Sequence, residues 1–350
     1  MSFFFRISLL LGVLISFAGC TQKISQPTQD QAQVSDFRYL DLKEARQIII
    51  QDEAEGFFDL IEIIDMQIQL KDVLIVDGLD ERTVYHEAYK SQIATEVMEF
   101  TDAEKAWIDP IMNEALELSA KLSPGLPNKE VLLLKMNGNH YGNGVYYTRE
   151  NAILIPQNVI AEGYRNTTDF LQVMLHEIFH IYSRYHPNKK KELYQLIGFQ
   201  PADPFEFPSE LKEQKLLNPD GIDVRYMISL EDKEGRTLKA VPVIYTTADQ
   251  FDESVPDFFS YLNFDFFELI DGSEGKTLKV TDPLGSTINL REVTGFWEQV
   301  SRNSNYIIHP DELMADNFAI LALSKKDPKI LDGLEPKGLD ILLKIEETIK

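Results

Sequence analysis

Cysteine is almost absent. One residue, Cys20, occurs in 350, so no intramolecular disulfide can staple the fold. Long apolar runs are lacking as well: the run from Ile7 to Phe17 is broken by Ser8, Gly12 and Ser16 and falls short of the about 20 residues that a bilayer-spanning helix needs. Cationic charge is scarce beside anionic charge, with 34 Lys+Arg against 57 Asp+Glu and a net charge of −23. A surface of that sign repels nucleic acid and anionic headgroups, so no nucleic-acid partner is expected; its ordinary consequence is solubility. There is no internal repeat, and past residue 35 no break in composition marks a second domain. What remains is ordinary for a globular chain, 44% hydrophobic and 26% charged, which excludes wholesale disorder.

The first residues have the features of an address. Arg6 is followed by the apolar run and then by small residues. Phe17-Ala18-Gly19-Cys20 resembles a bacterial lipobox, in which cleavage leaves the cysteine first and its thiol carries lipid. The resemblance implies a signal peptide over 1–19 and lipidation at Cys20. It also implies a membrane partner through that anchor and a place in the bacterial cell envelope. Thr21 after the cysteine resembles lipoproteins sent on to the outer membrane. Residues 21–35 are rich in Gln, Thr and Ser, as in a flexible tether. Folding is expected from Asp36 to Lys350 as one domain.

Along that domain, the dense apolar positions between Asp41 and Lys71 suit buried helices. Thr101-Asp102-Ala103-Glu104 has capping-box spacing and predicts a helix toward Leu122, with Pro110 inside it and Ser123-Pro124-Gly125 as its stop. Val131–Leu134, Val145–Tyr147 and Ala152–Ile155 read as short strands. Thr167-Thr168-Asp169 predicts the start of a helix from about Phe170 to Tyr185, closed by Pro187. Pro201–Asp220 reads as a long loop, and 225–247 and 258–280 as hairpins turning at Lys233-Glu234-Gly235 and Asp271-Gly272. Helices are expected over Asp311–Ser324 and Leu339–Ile349.

The helix ending at Tyr185 contains His176-Glu177-Ile178-Phe179-His180. Residues four apart share a helix face, so His176 and His180 can offer two imidazole nitrogens to one ion. Glu177 leans toward the same face, within reach of a metal-bound water. Zinc lowers the pKa of such a water to about 7. The surrounding positions Val173, Met174, Leu175, Ile178, Phe179 and Ile181 are apolar, so the helix is interior. Two imidazoles and a carboxylate there are costly to bury without a partner, and a metal supplies one.

Two residues are candidates for the third ligand. Glu312 follows Pro310, which suits a helix start, and Asp316 stands one turn on along the same face. Glu312 would close the coordination, while Asp316 takes the outer ring N–H of a ligand histidine. His186 is the other candidate, six positions past His180. That spacing resembles the metzincins, but Ser183 stands where their chain turns through a glycine, and no Met-turn follows. His186 before Pro187 is better read as a helix end.

The His-Glu-x-x-His and Glu-x-x-x-Asp pair resembles the gluzincins, the thermolysin-like branch of zinc peptidases. The resemblance covers the two helices alone, and the 132 positions from His180 to Glu312 imply an insertion around 188–305. It implies a zincin-like α+β fold, mainly helical, with a small sheet beside the zinc helix and added β-hairpins. It also implies a Zn2+ cofactor, a peptide or protein substrate, and Glu177 as general base. Ala152–Ile155 is then the strand edge that takes extended substrate. Tyr306, His309 and Tyr245 are candidates to stabilise an oxyanion. The reading from another class is a non-catalytic envelope lipoprotein whose zinc is structural or whose cleft binds a partner.

Overall fold

The computed structural model describes residues 36–161 and 165–350; the leader, Cys20 and the tether lie outside the described residues. The chain enters on strand β1 (Phe37–Tyr39) and folds its first apolar stretch into helices α1 (Leu42–Ile49), α2 (Phe57–Leu60) and α3 (Ile63–Leu70). Then come α4 (Glu81–Thr95), β2 (Val97–Met98) and α5 (Asp102–Leu122). The capping box of α5 is present. Thr101 Oγ accepts the Glu104 N–H at 3.2 Å, and the Glu104 carboxylate accepts the Thr101 N–H at 2.7 Å; such a cap contributes about 1 kcal/mol. Pro110 lies within α5, and Ser123 ends it.

Strands β3 (Val131–Met136), β4 (Tyr147–Arg149) and β5 (Ala152–Pro156) complete a first sheet in the order β1-β3-β5-β4, with β2 also pairing with β3. β3 is parallel to β1 and β5, while β4 is antiparallel to β5. Both β3 and β5 are buried along their whole length, which is why they read as continuous apolar runs rather than as alternation. Two sequence expectations change here. The strand expected at Val145–Tyr147 begins at Tyr147, because Gly142 and Gly144 hold positive φ in the turn before it and the Arg149–Ala152 pair closes the hairpin. The expected substrate edge, Ala152–Ile155, is internal: β4 covers it and is itself the edge.

After the short helix α6 (Gln157–Ile160) comes α7 (Thr167–Tyr185). Its cap is Asn166, one residue ahead of the expected Thr167–Asp169, and the Asn166 side chain accepts from the N–H groups of Thr168 and Asp169. Pro187 both ends α7 and opens α8 (Pro187–Leu196), its missing N–H costing nothing in a first turn. The stretch read as one long loop carries short pieces instead: β6 (Phe199–Pro201), β7 (Phe205–Glu206) and α9 (Ser209–Lys212). The expected hairpins are β8 (Tyr226–Glu231) with β9 (Thr237–Tyr245), and β10 (Asn263–Gly272) with β11 (Gly275–Lys279). Together they form a second sheet, β6-β8-β9-β10-β11-β7. Strand β7 pairs with β11 over only two positions, too few for any periodicity to reveal. The chain ends with α10 (Phe296–Val300), α11 (Pro310–Ser324) and α12 (Pro336–Ile349).

The architecture is α+β, with two small sheets among helices. α5, α7, α11 and α12 bury their apolar faces in one core with β3 and β5. Phe179 of α7 meets Phe318 of α11 with ring centroids 5.6 Å apart, and both are fully buried. Removing either ring would cost about 3–5 kcal/mol. That contact fixes α7 against α11, and the site depends on their register.

Candidate metal centre

His176, Glu177 and His180 come from the middle of α7; Asp311, Glu312 and Asp316 come from the first turns of α11. The two helices bring their chemistry face to face. His176 Nε2 lies 3.1 Å from Glu312 Oε2, and His180 Nε2 lies 3.6 Å from the same oxygen. The two imidazole rings stand edge to face with centroids 4.6 Å apart. One ligand atom from each of His176, His180 and Glu312 falls within 4.8 Å of the others. This is a candidate metal-binding cluster built from the three residues expected to form it.

The outer nitrogens are held as well. His176 Nδ1–H donates to Asp316 Oδ1 at 2.9 Å, and Ser304 Oγ bonds the other oxygen of that carboxylate. His180 Nδ1–H donates to Asp311 Oδ2 at 2.7 Å. Asp311 is itself fully buried and further accepts from Ser183 Oγ at 2.9 Å and the Tyr194 hydroxyl at 2.6 Å. These bonds leave each Nε2 facing the Glu312 carboxylate, whose other oxygen accepts from Asn218 Nδ2 at 2.7 Å. Asp316 stands at the outer ring nitrogen of His176, where the sequence reading expected it. The reading missed Asp311 and Asn218. Two histidines offered to one ion would need two outer partners, and that count alone would have prompted a search for the second.

Two buried atoms at the centre have no hydrogen-bond partner, His180 Nε2 and Glu177 Oε2. Glu177 is only 4% exposed. An unpartnered ring nitrogen and carboxylate oxygen in the interior cost about 1–3 kcal/mol each or more, and a bound cation would relieve that cost.

Proton affinities carry the same message. Burial alone would depress His176, but its bonds to Asp316 and Glu312 outweigh that and raise it to about 10. His180 is likewise raised against the burial term, by Asp220, Glu312 and Asp311. Glu312 is held well below the usual carboxylate range despite burial, because it faces both imidazoles. Glu177 moves the other way, pushed up to about 8 by burial and then by the neighbouring Asp220 carboxylate. The cluster is a place built for cationic charge, whether carried by imidazolium protons or by a metal ion.

The remaining candidates separate. Tyr306 stacks on His176 with centroids 6.2 Å apart and planes 21° from parallel, and is 36% exposed. Desolvation and the Glu312, Asp220 and Glu177 carboxylates raise its phenol well above the ordinary value, so it stays a donor. His309 does not face the cluster with a free nitrogen. It caps α11, its Nδ1 accepting the Asp311 N–H at 3.1 Å while its Nε2–H donates to the Asp223 carbonyl at 3.0 Å. Both ring nitrogens are spent on backbone, which removes it as an oxyanion donor. Tyr245 donates to Asp265 in the second sheet at 2.7 Å. His186 ends α7 as expected, its Nδ1–H donating to the Tyr182 carbonyl at 2.8 Å and its ring stacked on Tyr182.

A further carboxylate lies beside the three-residue set. Asp220 offers an oxygen within 4.8 Å of both His180 and Glu177. It comes from the stretch read as loop, where nothing in the local sequence distinguishes it. Comparison of the chain with protein-family models, curated protein sequences and solved structures gave no match, so the site is argued from its own geometry.

Proposed function

We propose that the chain is a zinc-dependent peptidase with a zincin-like catalytic domain of the gluzincin type, anchored by lipid at Cys20 to the bacterial envelope. The observation that carries this reading is the buried, partnerless His180 Nε2 beside Glu177 Oε2, facing a histidine–glutamate pair already oriented by carboxylates. The donor set fits zinc. Bonds of about 2.0–2.1 Å in a tetrahedron put neighbouring ligand atoms about 3.3 Å apart, and the Glu312 oxygen stands 3.1 and 3.6 Å from the two imidazole nitrogens. Three protein ligands leave one position open, as catalytic rather than structural sites do.

When bound, zinc would polarise the scissile carbonyl and make hydroxide available near neutral pH from a coordinated water. Glu177 would take a proton at its carboxylate and return it to the leaving amine. Asp316 and Asp311 would hold the ligand rings in the tautomer that presents Nε2. Tyr306, protonated and stacked on His176, would donate to the oxyanion that develops on the substrate carbonyl. Neither His309 nor Tyr245 has a part in this scheme.

Metal analysis of the purified protein, together with a panel of peptides and muropeptides, tests the proposal. One equivalent of zinc with peptide hydrolysis supports it. Zinc without hydrolysis of any member would favour the non-catalytic envelope lipoprotein, and absence of zinc binding would end both readings. Among the described residues no helix is long and apolar enough to cross a membrane, so in this reading attachment falls to the leader and Cys20.

A further inference from the structure

Residues 216–222, between α9 and β8, run across the metal cluster, and Leu216, Leu217, Asn218, Asp220 and Ile222 are all buried. Apolar anchors hold the ends: Leu216, Leu217 and Ile222 pack in the core formed with α1–α4. The Leu216 N–H donates to the Ile244 carbonyl at 3.0 Å, and the Leu217 N–H to Asp65 Oδ2 at 2.8 Å. Between the anchors the chain turns, Gly221 N–H donating to the Asn218 carbonyl at 3.2 Å. Gly221 is required there, because a Cβ at that position would come within 2.3 Å of His309 Nδ1.

The turn delivers Asp220 into the site. Its Oδ1 accepts the Thr148 N–H at 2.8 Å and bonds the Thr148 hydroxyl, with Arg184 Nη2 at 3.5 Å. Thr148 belongs to β4, the sheet edge. An edge N–H is the group through which an extended peptide adds to a sheet, and here a side-chain carboxylate takes it. That carboxylate also stands beside Glu177 and His180, where the carboxylate released by hydrolysis of a peptide bond would lie. Glu177 is 4% exposed, and Asp220 of the turn is one of the groups beside it.

We infer that the Asn218–Gly221 turn is an internal plug, with Asp220 imitating a product carboxylate, and that substrate enters only when the turn swings out between Leu217 and Ile222. The inference rests on the peptidase reading above. Asp220 groups with Glu177 and His180, and not with His176 and Glu312, so in this reading it covers one side of the centre. A ligand that binds only the open form has its affinity reduced by the fraction of molecules that are open, so loosening the plug should tighten binding without strengthening any direct contact.

The experiment uses the zinc-loaded full chain, its Asp220→Ala and Thr148→Val variants, and a short peptidyl hydroxamate as probe. Calorimetry measures hydroxamate affinity, and competition with a chromophoric chelator gives both the equilibrium zinc affinity and the rate of zinc removal. The plug predicts, at saturating zinc, hydroxamate binding tighter by about tenfold or more in Asp220→Ala, with zinc removed faster and equilibrium zinc affinity lowered only modestly, by the loss of one neighbouring charge. Thr148→Val keeps the side-chain volume, loses one hold on Asp220 and should move the same way by less, which keeps the test open should Asp220→Ala misfold. Unchanged hydroxamate affinity in folded variants overturns the plug and leaves the peptidase reading standing. A large fall in equilibrium zinc affinity would make Asp220 a ligand and also overturn it. Failure of the unaltered chain to take up zinc overturns both together.

Discussion

The His180 ring is set by Asp311, which accepts its Nδ1–H at 2.7 Å from the residue immediately before the candidate ligand Glu312. One turn of α11 thus supplies both the carboxylate that faces the cluster and the carboxylate that turns a histidine toward it. Asp311 keeps its charge although it is fully buried, because Lys190 and the His180 bond outweigh the desolvation of burial. Asp311→Asn should therefore release the ring, reverse its tautomer preference and lower zinc affinity about 10- to 100-fold. Competition with a chromophoric chelator measures the change. An affinity within twofold of the unaltered chain would show that Asp311 serves the fold alone.

Glu177 and Glu312 should separate on substitution. Glu177→Gln keeps the volume and leaves the three ligand atoms in place, so zinc content should stay near one equivalent while hydrolysis falls by about 10²–10⁴. Glu312→Ala removes a ligand atom and leaves the Asn218 amide without its partner, so zinc is lost first and activity follows. Elemental analysis beside a peptide assay distinguishes the two, and equal loss of zinc in both variants would contradict the assignment of Glu177 as base.

Legibility in the sequence followed the range of the interaction. The box at Thr101–Glu104 was readable because its contacts join residues three apart, and the helix at Pro310 because proline suits a first helical position. The pair His176 and His180 was readable because one turn of helix aligns them, and Asp316 was readable from its spacing to Glu312. What escaped was non-local. Asn218 reaches Glu312 across 94 positions and Asp220 reaches Thr148 across 72, from a Pro-containing stretch with neither periodicity nor a motif. His309 misled for a related reason. A histidine just ahead of a helix can cap it or face a cleft, and only the position of the Asp223 carbonyl decides between them. The edge was misplaced because an apolar run marks a buried strand, and an edge strand such as Tyr147–Arg149 is too short and too polar to stand out.

If Cys20 carries the anchor, Cys20→Ser should move the protein from the membrane fraction to the soluble fraction and abolish incorporation of a clickable palmitate analogue. The metal centre should be unaffected, since all of its residues lie between His176 and Asp316. Retention of the variant in washed membranes would require a different mode of attachment.

The pH dependence of the chelator-stripped protein tests the charge argument most directly. His176 rises from 6.5 to about 10 on folding, so its contribution to stability is fully present below pH 6.5 and is lost as pH climbs through about 10. Glu177, pushed from 4.5 to about 8, has the same sign: folding favours its protonated form, and that benefit is gone above about pH 8. Glu312, held below its ordinary value, contributes in the opposite sense, losing its stabilisation only as pH falls through its lowered folded value. Between pH 6.5 and about 8 the first two effects act together and from there to about 10 His176 acts alone, so the melting temperature of the stripped protein should fall across that window, more steeply in its lower part. Zinc must displace the protons on the two ring nitrogens to bind, so loading should flatten the profile. Calorimetric titration at pH 7 in buffers of different ionisation enthalpy should then show net proton release. A stripped protein with a flat profile over that window would mean that the imidazoles are not holding the protons in place of a metal.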